Sequence, residues 1–141
     1  MKFILIAVCV IILTFIFMMI RNSTIKGFTH GIAKAQLRCF RILKRRNPHL
    51  SKRDLLIEMI SNRPGYNKLK AESIIKRTEE FENSSLLKSL ASYEKKKDIS
   101  LRNVVIRLID DEFVIRTGNM MDNKRFKKMY DEVVKIIPDN L

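Results

Sequence analysis

The sequence predicts an all-α protein: a single N-terminal transmembrane helix, a basic amphipathic juxtamembrane helix, and a small bundle of about four to five helices. Three observations predict it. Residues 3–20 form an uncharged apolar run without Pro or Gly. The excess of basic residues sits directly behind that run. Beyond it, apolar residues recur at i, i+3, i+4 and i+7 between Pro- and Gly-containing breaks.

The apolar run, Phe3 to Ile20, would span about 27 Å as a helix at about 1.5 Å per residue, against a hydrocarbon core of about 30 Å. A lone segment in lipid must satisfy its own backbone groups, so a helix is the form expected. A cleaved signal peptide has an apolar core of about 7–15 residues and a small-residue cleavage site. Here the run is longer, and Phe17, Met18, Met19, Ile20, Arg21 and Asn22 stand where that site would be. The reading is an uncleaved anchor over residues 1–21.

The formal charge of +13 is concentrated. Residues 21–53 hold ten basic side chains and no acidic one; from residue 54 onward there are 17 basic and 15 acidic residues. Basic residues near a membrane helix stay on the cytoplasmic side, so the N-terminus is expected outside and the C-terminal domain in the cytoplasm. The Ile- and Lys-rich usage leans towards a bacterial membrane. Residues 22–46 are read as a polybasic neck, with Arg21, Lys26, Lys34, Arg38, Arg41, Lys44, Arg45 and Arg46 as contacts to anionic lipid headgroups. Each cation near such a leaflet contributes about 1 kcal/mol.

Within the neck, residues 22–31 hold two of the four glycines and read as an elbow. From Ile32 to Arg46 the pattern is helical. Lys34, Arg38, Arg41 and Arg45 form one stripe, with Ile32, Ala35, Cys39, Phe40, Ile42 and Leu43 mainly opposite. Beside an anchor, such a helix is expected at the acyl boundary; the alternative is that its apolar face packs on the downstream domain.

Residues 47–141 read as one cytosolic helical domain. Asn47 and Pro48 break the neck helix. Ser51 and Asp54 open a helix over 52–62 that buries Leu55, Leu56, Met59 and Ile60. Pro64 and Gly65 make a turn, and Asn67 caps a helix to about Glu82 with Ala71, Ile74, Ile75, Thr78 and Phe81 inward. A short helix over 85–96 would bury Leu86, Leu87 and Leu90. Ser100 caps the next, to Thr117, with Gly118 as its stop. Its β-branched content also admits a β-hairpin at 103–116. Phe126, Met129, Tyr130, Val133, Val134 and Ile137 define the last helix, ended by Pro138.

Chemistry-bearing motifs are absent from the sequence: no Gly-rich phosphate loop, nucleophile elbow, paired-His zinc helix or Cys-x-x-Cys. No catalytic, cofactor-binding or metal-ligating residues are assigned. His30 and His49, the only histidines, fall in expected breaks and read as solvated. Cys9 and Cys39 read as ordinary thiols. The carboxylates at Asp110–Glu112 and at Glu79, Glu80 and Glu82 read as solvated faces, and Lys95–Lys97 as a complement to a helix dipole.

Together these features point to a non-enzymatic interaction, structural or adaptor module, held at an anionic phospholipid surface and docking a protein partner. The alternative is a membrane-tethered nucleic-acid binder using a helix-turn-helix-like hairpin at 52–82.

Overall fold

A computed structural model describes residues 1–81 and 99–141, and their side chains except those of residues 21–24 and 81. The expected helix at 85–96 and the Lys95–Lys97 cluster lie outside the described residues. Among the described residues there are five helices and no strand: α1 (Lys2–Arg46), α2 (Lys52–Ser61), α3 (Lys68–Phe81), α4 (Leu101–Thr117) and α5 (Asn123–Ile136).

The first surprise is the length of α1. It runs 45 residues and passes straight through the expected elbow. Gly27 and Gly31 occupy its exposed side with open space around each, while Ile25, Thr29 and Ala33 between and beside them are buried. A glycine inside a helix costs about 1 kcal/mol against alanine. Burying the face that includes Ile25, Ala33, Leu37 and Phe40 outweighs that, so packing overrides the local break signal. The helix ends at Asn47, whose N–H donates to Leu43 O at 2.8 Å, with Lys44, Arg45 and Arg46 in the last turn, where cations suit the dipole.

The apolar face of the neck is therefore covered by protein and does not lie at an acyl boundary. It starts at Ile25, seven residues earlier than the pattern suggested, and Ala33, Leu37 and Phe40 join one core with α2–α5. Ala35 and Ile42, expected on that face, are exposed, and Gln36 is buried in their stead.

The shorter helices follow their local signals. Ser51 Oγ accepts from Asp54 N–H at 3.1 Å, and α2 buries Leu55, Leu56, Met59 and Ile60. Gly65 takes the left-handed conformation its turn requires, at φ 80°. Asn67 Oδ1 accepts from Lys70 N–H at 2.9 Å, and α3 buries Ala71, Ile74, Ile75 and Thr78. Asp122 Oδ1 caps α5 at Arg125 N–H, 2.8 Å.

The segment 103–116 is helix, not hairpin. Ser100 Oγ accepts from Asn103 N–H at 3.1 Å, and Gly118, at φ 71°, donates to Val114 O at 2.8 Å. Both ends are fixed by helix caps. Between them Leu101, Val104, Val105, Ile106, Leu108, Ile109 and Phe113 are all buried, because α4 touches α1, α3 and α5. A helix enclosed on several sides tolerates a β-branched run that would disfavour it in isolation.

Two directions matter for function. Helix α5 runs in the same sense as α1: Glu132 sits beside His30, while Asn140 and Leu141 line a cavity with Phe40 and Lys44. Helix α4 runs the opposite way, with the Arg116 guanidinium 4.8 Å over the Phe28 ring and Leu101 N–H donating to Leu141 O. The α4–α5 connection thus lies at the end of the bundle nearest the apolar run.

Candidate functional site

The exposed side of α1 presents a row of cations. Lys34, Arg38, Arg41 and Arg45 line a shallow groove floored by Leu37 and Ile42, with Lys44 and Arg46 exposed alongside. None of the six forms an ion pair among the described residues. The contrast with the rest of the chain is sharp. Every arginine after Arg46 has a carboxylate: Arg53 pairs with Glu79, Arg63 with Glu112, Arg77 with Asp111, Arg102 with Asp139, Arg107 with Asp110 and Asp111, Arg116 with Glu112, and Arg125 with Asp122. The cause is compositional, since no acidic residue precedes Asp54. Six positive charges within about 18 Å of helix, without a carboxylate partner among the described residues, favour an anionic partner.

The eight residues expected to meet lipid all lie on α1, spread along its axis. Arg21 follows the apolar run on the helix backbone, and Lys26 is exposed about 9 Å further along. Lys34 lies about 21 Å beyond Ile20, and Arg46 about 39 Å, along one uninterrupted axis.

Sequence reasoning missed His30. It is not a solvated turn residue: its Nε2–H donates to Glu132 Oε2 at 2.5 Å, across 102 residues, with Glu132 almost wholly buried. That bond holds the Glu132 carboxyl below the usual carboxylate range, against the upward push of burial and with help from Lys135 Nζ at 3.2 Å. No local pattern signals a pair so far apart in sequence.

The carboxylates Asp110, Asp111 and Glu112 are not a solvated face either. They are partly buried and bridge to arginines of α2–α4 along a groove of about 720 Å³ between α3 and α4. Burial pushes Asp110 up, with Arg107 working against it. Each has a cation to hold: Asp111 ties α4 to α3 through Arg77, Glu112 ties it to the α2–α3 turn through Arg63, and Asp110 pairs with Arg107 within α4. Among the described residues no three His, Cys, Asp or Glu side chains converge as metal ligands would.

The hairpin of α2 and α3 has the outline of a helix-turn-helix, yet its cations are engaged: Arg77 with Asp111 at 3.0 Å, Arg53 with Glu79, and Lys70 Nζ with Gly65 O at 3.0 Å. Lys68 and Lys76 are left exposed on α3.

The first eighteen residues of the fold are the other unusual surface. An 18-residue window of α1 has mean hydropathy 3.3, and none of it is buried. It is long and apolar enough to cross a membrane. Its Thr14 hydroxyl donates to Val10 O at 2.7 Å, so the hydroxyl in the run has an internal acceptor. No family model, curated protein or solved structure matches the chain.

Proposed function

We propose that this is a single-pass membrane protein whose helical domain serves as an adaptor, with the exposed cations of α1 as its docking face. One observation carries the reading: the same helix that exposes eighteen uncharged residues supplies a wall of the folded core. A core helix of a soluble protein would bury its apolar run. Removal of that run as a signal would cut within about a turn of Ile25, the first buried residue of the domain.

With α1 unbroken, lipid contact falls to Arg21 and Lys26. The headgroup layer is roughly 5–8 Å deep on each side, and the field of an anionic leaflet fades within about 8 Å. Lys34, Arg38, Arg41, Lys44, Arg45 and Arg46 stand beyond it even for a helix tilted by about 20–40°. Those six are assigned to an acidic protein partner, and the positive-inside bias puts them in the cytoplasm.

The anchor is tested by washing membranes with carbonate: the mature chain stays in the pellet, with residues 1–20 still attached. Release into the supernatant, or a mature sequence starting after Ile20, overturns it. The docking face is tested with the full chain in phosphatidylcholine nanodiscs. An acidic helical peptide binds, and Arg38→Glu with Arg41→Glu weakens it at least tenfold. Tight, steeply salt-dependent binding of a DNA duplex in preference to the peptide replaces the adaptor with the nucleic-acid reading, for which the cationic row would supply phosphate contacts.

A further inference from the structure

We propose that the α4–α5 corner is a second membrane contact: Ile115 and Met120 enter the interfacial zone of the bilayer beside the anchor, while Lys124 and Lys127 meet anionic headgroups. This rests on the anchor reading above and goes beyond it, because the contact comes from the far end of the chain.

Exposure is the first argument. After the apolar run, the large apolar side chains left exposed among the described residues are Ile42, Leu69, Val114, Ile115 and Met120. Three of these five cluster at one corner, with Met120 at 82% and Ile115 at 71% exposure. An apolar cluster this open at the end of a helix and in its following loop is a contact site in search of an apolar phase.

Position says which phase. His30 and Glu132 are side by side, and α5 runs in the same sense as α1. Ile20 lies ten residues before His30, and Asp122 lies ten before Glu132. At about 1.5 Å per residue both are displaced roughly 15 Å in the same direction, which brings the loop holding Met120 to the level where the apolar run ends. Arg116, stacked on Phe28, ties the end of α4 to the same stretch of α1.

Charge agrees. Residues 116–128 carry Arg116, Lys124, Arg125, Lys127 and Lys128 against the single carboxylate of Asp122. Arg116 and Arg125 are held by Glu112 and Asp122, but Lys124 and Lys127 are exposed and have no ion pair among the described residues. Apolar tips framed by free lysines are the pattern of a surface that lies in a headgroup layer. Because α4 and α5 pack on the buried side of α1, a lean onto this corner turns the opposite side, with Arg38 and Arg41, away from the bilayer.

The test uses the full chain in vesicles of phosphatidylcholine and phosphatidylglycerol, with Cys9→Ala and Cys39→Ala as background. A fluorophore is attached at one new cysteine: Phe15→Cys in the anchor, Met120→Cys at the corner, or Asn140→Cys at the opposite end. Lipid nitroxides near the ester end of the acyl chain are the quencher. Labels at 15 and 120 are quenched and the label at 140 is not, and Ile115→Asp cuts the quenching at 120 by at least half. Quenching at 15 with none at 120 overturns the corner and leaves the anchor standing. No quenching at 15 overturns the anchor, and the corner with it. Unchanged quenching at 120 in Ile115→Asp also overturns the corner, because contact would then not depend on its apolar tip. Met120 is an exposed loop residue, so labelling leaves the core untouched; circular dichroism of each variant checks the fold.

Discussion

The two ends of α1 share one backbone and almost nothing else. Residues 3–20 are apolar on every side and exposed along their whole length; residues 25–46 are apolar on one side, cationic on the other, and built into the core. The first stretch contains no element that dictates which face points where, so its only demand is an apolar phase all round. The second has a face of Ile25, Ala33, Leu37 and Phe40 that selects one orientation against α2, α4 and α5. The comparison teaches that helix continuity and domain membership are separate matters: what divides this chain is the loss of a polar side, not a break in the backbone.

The largest effects should come from placing charge in the shared core. Met129 is fully buried on α5, and Met129→Asp should cost more than about 4 kcal/mol and unfold the domain. Circular dichroism and proteolysis would report that loss, with attachment through residues 3–20 retained. A folded, protease-resistant Met129→Asp would mean that α5 does not face a core. The paired test of α1 is next. Phe40→Ala should cost about 3–5 kcal/mol and Phe15→Ala less than about 0.5 kcal/mol in denaturation of the domain. Equal costs would erase the distinction between the two ends.

A smaller effect belongs to the bond between the outer helices. Glu132→Gln should lower stability by about 1–2 kcal/mol at neutral pH. The sign with pH is fixed by the direction of the shift. Glu132 has its folded pKa depressed, chiefly by the His30 bond, so its contribution is complete above the ordinary glutamate value and fades as pH falls through the lower folded one. Thermal melts of the wild-type chain should lose stability through that acid window, and Glu132→Gln should flatten the dependence. The smallest effect is the most specific to continuity. Gly27→Ala should stabilise by about 0.5–1 kcal/mol, since a Cβ there meets nothing within 4 Å and the position is helical. A destabilised Gly27→Ala would restore the elbow.

Much of the fold was legible, and for identifiable reasons. Ser51, Asn67, Ser100, Gly65 and Gly118 sit at helix ends and turns where their own chemistry acts within a few residues, so local reading located the starts of α2, α3 and α4; α5 was located by its periodicity, and its Asp122 cap was not read. The periodic sets that include Met59, Ile75, Ile109 and Val133 point to buried faces for the same reason. The failures were of range. Gly27 and Gly31 are break signals only until something covers the face between them, and the cover is supplied by α5, far away in sequence. His30 looked solvated because its partner is 102 residues distant. The eight residues read as lipid contacts lie along a straight axis over about 38 Å, a spread that their spacing in sequence does not reveal without the elbow removed. The cationic row itself was plain in the sequence; that none of its members meets a carboxylate among the described residues required the fold.

Pairing α1 so heavily with α5 also sets a timetable for assembly. In a chain made from its N-terminus, Ile25, Leu37 and Phe40 emerge long before Met129 and Val133, and closing that loop across roughly a hundred residues is slow compared with forming either helix. Until α5 arrives, Leu37 and Phe40 lack part of the cover they have in the folded chain.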